Sequence, residues 1–176
     1  MRKLLLMRHA KAVRDPGFPD HARSLNQRGR DDAVRVARFL QDNELAPDLA
    51  IASDSQRTRE TLELAASQFS PAPQTLLDAV LYLAEPSSLL KTIRAVPSSV
   101  RKLLMVAHNP GVADLAIALT GKRDYADAET ERLLFSFPTG AVAIIDFDCE
   151  WSGIVEPGGR LARLVIAKSL RGEQGS

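Results

Sequence analysis

One cysteine, Cys149, stands in 176 residues, so no intramolecular disulfide framework is available and a reducing compartment is expected. Three histidines with no CxxC pair give no metal-ligand spacing, and neither a zinc site nor any cofactor is expected. Aromatic residues make up only 5% of the chain and do not cluster, so Tyr82 and Trp151 read as packing residues and not as stacking platforms. A surplus of one charge is missing too. Twenty-three basic against 22 acidic side chains leave a net charge of +1, too little to draw nucleic acid or a membrane surface, and any anion binding must be local. Long apolar runs are absent: nothing approaches the ~20 residues that cross a bilayer. The opening MRKLLLM has the basic flank of a secretory signal, but Arg8 interrupts its apolar run at once. A soluble cytoplasmic protein is expected.

The composition, 45% hydrophobic and 26% charged, suits one globular domain with a sizeable core. The sequence predicts that domain over residues 1–168, with 169–176 (SLRGEQGS) a loose tail. Apolar runs of strand length alternate with helical patterns, the mark of an α/β fold whose parallel strands are joined by crossover helices. Lys3 to Met7 is the first strand. From the N-cap candidate Asn26, a helical face carries Ala33, Val36, Ala37 and Leu40. DLAIASDS is a second strand running into SDSQ, which has the form of a capping box for a helix striped by Thr58, Leu62, Ala65 and Phe69. QTLLDAVLYL supplies a third extended segment, and Pro86 opens a helix carrying Leu89, Ile93 and Val96. KLLMVAH reads as a strand buried on both faces, followed by the turn NPG and the helical VADLAIALT. AVAIIDFD and RLARLVIAK are late strands joined through CEWSGIVEPGG.

Three polar clusters follow strand ends. Arg8 and His9 follow the first strand, Arg57 lies in the helical turn after the second, and His108 ends the fourth. In an open parallel sheet ligands sit beyond the carboxyl ends of the strands, so the topology sends these groups to one place. Two arginines and two histidines there describe a compact cationic pocket. Guanidinium forks match phosphate oxygens and stabilise the charge spread over a transferring phosphoryl group. A neutral imidazole attacks phosphorus well, and neighbouring arginines hold its pKa down. Its other ring nitrogen needs a hydrogen-bond acceptor to fix the tautomer, which no motif here names.

LLLMRHA, SDSQRTRET and VAHNP, in this order over residues 4 to 111, resemble the signature of the histidine phosphatase superfamily, which includes phosphoglycerate mutases and many phosphatases. The short length and the segments DHARSLNQRG and FPTGAVA resemble its small SixA-type phosphohistidine phosphatases. The resemblance implies a single three-layer phosphoglycerate mutase-like domain with a mainly parallel central sheet flanked by helices. It also implies roles: His9 the nucleophile that becomes phosphorylated, Arg8 and Arg57 the phosphate clamp, and His108 a further phosphate contact that can be protonated. Many members begin the motif Arg-His-Gly, whereas this chain has Ala10, as the small subgroup also allows. Larger members carry a carboxylate general acid on an inserted segment. In the corresponding stretch this chain offers only Glu85 and Asp78, and Glu85 is the weak candidate for a proton donor.

An alkoxide leaving group needs a proton, worth about a hundredfold or more in rate, whereas imidazole can leave phosphohistidine already protonated. A His-Arg-Arg-His site with no committed carboxylate therefore favours a phosphorus-nitrogen substrate, and an open pocket without a lid insertion could admit phosphohistidine on a partner protein. Two alternatives stay open: a phosphatase or mutase for small phosphate esters, and a non-catalytic phosphate-binding module. Around the site, Arg23 is a candidate second-layer or substrate-contacting group. Asp54 and Ser55 read as capping groups, with Ser55 also able to reach a phosphate. His21 reads as exposed and incidental, Arg59 and Glu60 as solvated, and Asn109 and Gly111 as turn-shaping residues.

Overall fold

Strand β1 (Arg2–Arg8) sends alternate side chains to opposite sides of the sheet. Leu4 and Leu6 enter one apolar layer, Leu5 and Met7 the other, and none is more than 1% exposed. A strand buried on both faces belongs in the middle of a three-layer domain. The computed structural model describes residues 1–121, 125 and 127–171 and has this architecture. Among the described residues six strands run in the order β3-β2-β4-β1-β5-β6. Strands β2 (Leu49–Ala52), β3 (Gln74–Leu77) and β4 (Lys102–Ala107) run parallel to β1. Strand β5 (Val142–Phe147) pairs antiparallel with β1, and β6 (Arg160–Val165) antiparallel with β5.

Helices α1 (Gln27–Asp42) and α2 (Gln56–Ala66) cover one face, burying Val36, Ala37, Leu40, Leu62 and Ala65 against Leu5, Met7, Leu104 and Val106. Helices α3 (Pro86–Arg94), α4 (Gly111–Thr120) and α5 (Ala128–Ser136) cover the other, through Leu89, Ile93, Val112, Leu115, Leu119 and Leu134. Truncating any one of these buried leucines to alanine is expected to cost about 2–5 kcal/mol. Asn26 caps α1 as its sequence position indicates, accepting a hydrogen bond from the Gly29 amide at 2.8 Å.

Four local expectations change. The third extended segment is shorter than QTLLDAVLYL: β3 ends at Leu77, and Ala79–Leu81 turn into a 3₁₀ segment capped by Asp78. The SDSQ capping box does not form. Ser55 is the N-cap of α2 and makes no side-chain cap bond; its hydroxyl meets that of Thr58 at 2.8 Å, and Thr58 in turn donates to the Ser53 carbonyl at 2.7 Å. Helix α5 had no counterpart among the sequence-based elements, although Asp127 caps it through the Thr130 amide. Finally, the tail does not begin at 169. Ser169–Arg171 form a 3₁₀ turn in which Leu170 is buried and Arg171 pairs with both oxygens of Asp32 at 2.7 Å; the remaining expected tail, 172–176, lies outside the described residues.

Candidate active site

The backbone around His9 is held from three sides. Its amide donates to the Ala107 carbonyl at the end of β4 at 3.1 Å, and the Gly140 amide donates to the carbonyls of Arg8 and His9, both at 3.1 Å. Gly140 has φ +75°, a conformation that glycine adopts without strain, so the FPTG turn can close on the end of β1. On the third side α1 presses against the loop after His9. A Cβ on Gly29 would sit 2.1 Å from the Lys11 carbonyl oxygen, so only glycine lets the helix start this close. The Ala10 methyl is fully buried in a small cluster with Leu25 and Ala33.

The sequence-named groups meet at this edge. The His9 Nδ1–H donates to the carbonyl of Ala10 at 2.7 Å, the acceptor that no motif named. That fixes the tautomer and turns the lone pair of Nε2 toward Arg57, whose Nε donates to it at 3.3 Å. Burial, with Arg57, Arg8 and Arg23 adding repulsion, brings the His9 pKa down to about 4, so the ring is neutral at pH 7. Desolvation leads here, where the sequence argument had credited the arginines. Arg57 Nη2 donates to His108 Nδ1 at 3.2 Å, which leaves the His108 Nε2–H to donate to Ser53 Oγ at 2.9 Å. Burial and the neighbouring His9 and Arg57 lower the His108 pKa to about 3. His108 is therefore neutral in this arrangement. Arg8 donates to the Phe137 carbonyl at 2.9 Å and keeps a buried Nε without a partner among the described residues. Burial and Arg57 push its pKa down.

Glu85 makes no hydrogen bond or ion pair with these groups among the described residues, and another carboxylate stands among them. Glu85 is exposed at the N-cap of α3 and makes no cap bond; Asp78 is spent on the Val80 amide. The group present is Asp20. Its Oδ2 accepts from Arg57 Nη2 at 2.9 Å and from the Tyr82 hydroxyl at 2.6 Å, and its Oδ1 accepts from Arg23 Nη2 at 2.7 Å. Its carbonyl takes Arg57 Nη1 at 2.6 Å. The Tyr82 hydrogen bond, then Arg23 and Arg57, hold the Asp20 carboxyl far below the usual range. Burial and Asp20 push the Tyr82 phenol up.

Tyr82 is thus a site residue as well as a packing one, with its ring edge-on to His108 at 5.4 Å. His21, expected to be incidental, pairs with Asp54 at 2.9 Å and packs edge-on to Tyr82. Glu60, expected to be solvated, is buried, accepts the Leu25 amide and pairs with Arg30, which ties the loop bearing Arg23 to α2. Arg23 is brought to the site through Asp20. Ser55, buried within the α2 cap, makes no hydrogen bond to either histidine among the described residues. Sequence reasoning missed Asp20, Tyr82 and Ser53. Only the first left a trace, the i,i+3 spacing of Asp20 and Arg23 in one turn. Among the described residues no three His, Cys, Asp or Glu side chains gather closely enough to hold a metal, and no helix is long and apolar enough to cross a membrane.

Comparison with known proteins converges on one family. The family model of the histidine phosphatase superfamily (branch 1) matches residues 4–80. An uncharacterized protein of Mycobacterium leprae is 34% identical over 149 residues, 82% of this chain and 89% of the relative. Two solved structures carrying the SixA phosphohistidine phosphatase name superpose closely. The one from Nakamurella multipartitia has a TM-score of 0.81 and 26% identity, covering 94% of this chain and 95% of its own. The one from Agrobacterium tumefaciens has a TM-score of 0.78 and 27% identity, covering 94% and 97%.

Proposed function

The chain belongs to the histidine phosphatase superfamily, in its SixA-type group, and is a phosphatase; from that premise we propose that it removes the phosphoryl group from phosphohistidine carried on a protein, through a phosphoenzyme on His9 and without a metal. What supports the reading is a pairing of states. His9 is neutral with Nε2 beside Arg57, while the carboxylate at the site, Asp20, is ionised and held by three donors.

The chemistry follows. His9 Nε2 attacks phosphorus, a nitrogen-phosphorus bond forms, and the bond to the substrate imidazole breaks. A substrate ring protonated on its second nitrogen leaves as neutral imidazole, so no protein acid is consumed. Water then attacks phosphorus, the bond to His9 breaks, and both protons of the water leave with the phosphate. Arg8 and Arg57 stabilise the charge on the three spectator oxygens in both steps. Through the hydrogen bond of Arg57 to its Nδ1, neutral His108 keeps the Arg57 fork in place, and Ser53 fixes that tautomer. An ester substrate would need a proton that ionised Asp20 does not hold.

The test compares a phosphohistidine peptide with a phosphoserine peptide of the same sequence, in the presence of a chelator. A kcat/KM at least about a hundredfold higher for phosphohistidine is expected. Equal values would remove the phosphorus-nitrogen assignment, and loss of turnover with the chelator would remove the metal-free one.

A further inference from the structure

At His9, which forms part of its wall, opens a groove of about 340 Å³ lined also by Arg8, Lys11, Arg14, Arg23 and Arg28. Five cations and no carboxylate line it, in a chain whose net charge is +1. Three of the cations are engaged: Arg8 donates to the Phe137 carbonyl, Arg23 pairs with Asp20, and Arg28 approaches Asp32 at 3.6 Å. Lys11 and Arg14 make no side-chain hydrogen bond or ion pair among the described residues. Arg14 and Arg28 are exposed. The fold holds this charge in place, since the 11–13 segment is bonded to 24–26 through Val13 to Ser24 and Asn26 to Lys11, and α1 packs on Lys11.

We propose that this groove receives acidic side chains flanking the phosphohistidine of a partner protein, an inference that rests on the function proposed above. The charges are separate and spread along the loop after β1 and a helix start, which suits several carboxylates on a polypeptide better than one compact anion. Among the described residues no Phe, Tyr or Trp side chain lines the groove, so it lacks the broad stacking surface that a single-stranded nucleic acid uses. Unpaired cations next to the nucleophile raise the local concentration of acidic partners and select among them, an effect that salt weakens.

The test uses fluorescent peptides with a central histidine flanked by aspartate and glutamate, or by asparagine and glutamine, and reads anisotropy at low and raised salt. The wild-type chain is expected to bind the acidic peptide about tenfold more tightly at low salt. That preference should shrink with salt and vanish in Lys11→Glu/Arg14→Glu, with Lys11→Gln/Arg14→Gln intermediate as a control for folding. Equal binding of the two peptides, or tighter binding of a short oligonucleotide, would overturn the proposal. Phosphorylated forms of both peptides separate it from the reading it rests on. Turnover with no acidic preference overturns the groove alone, whereas an acidic binding preference with no turnover of either peptide overturns the phosphohistidine reading and leaves the groove standing.

Discussion

The two ends of the central strand use the same residue types to opposite ends. Where β1 begins, cations are matched: Arg2 donates to the Val100 carbonyl and to Glu150 and lies over the Trp151 ring, while Lys3 and Arg160 share Asp146. Where β1 finishes, Arg8, Arg23 and Arg57 gather around His9, and among the described residues the one carboxylate paired with any of them is Asp20, on Arg23 and Arg57. Both ends bury an arginine, Arg2 at 1% exposed and Arg57 at 2%. At the first end the charge is neutralised and pins the sheet. At the second the excess is kept, against the repulsion it brings, and under the proposed function the substrate's phosphoryl group completes it. Local violation of ordinary charge pairing is how a site announces itself in an otherwise consistent fold.

Four experiments press on that contrast, from the largest expected effect to the smallest. Arg57→Ala should lower kcat/KM for a phosphohistidine peptide by about 10²–10³-fold, as loss of a preorganised transition-state donor does. Arg2→Ala should instead leave kcat/KM within about twofold and lower the unfolding free energy in urea by about 2–3 kcal/mol, the worth of a hydrogen bond to a charged partner. If Arg2→Ala cost activity and Arg57→Ala did not, the assignment of the two ends would be reversed.

The third experiment is pH. His9 and His108 have folded pKa values of about 4 and about 3, below the ordinary 6.5. As pH falls below 6.5 the unfolded chain takes up protons before the folded one, so stability is full above that value and declines toward pH 4. The acid limb of kcat/KM should accordingly lie near pH 4. A limb near 6.5, or histidine ring resonances titrating there, would contradict a neutral buried pair. Smallest is Asp20→Asn, which removes the carboxylate that competes for Arg57 and Arg23. Inorganic phosphate should bind about threefold more tightly, in keeping with a partly exposed ion pair; weaker binding would make Asp20 a support of the clamp and not its competitor.

Much of the fold could be read because its strands are apolar without interruption. Leu103 to Ala107 are all fully buried, and a run of that kind has few places to go but the sheet's centre. The four groups at strand and helix ends were legible for the same reason, since the parallel topology delivers strand termini to one edge. Asp20 and Tyr82 were not, because each reaches the site from a loop or a short turn whose position is set by tertiary packing and carries no period. Edge strand β3 was overextended for a related reason: Leu76, Leu77 and Val80 are apolar yet 46%, 45% and 63% exposed, so hydrophobicity there did not report burial. Helix α5 escaped because its short sequence buries fully only Leu134, too little for a helical stripe.

The central proposal is that His9 carries the phosphoryl group. A phosphohistidine peptide mixed with the chain, quenched in base within the first turnover and mapped by mass spectrometry should show phosphate on His9, with neither label nor turnover in His9→Ala. Label on His108 or elsewhere, or turnover persisting in His9→Ala, would contradict it.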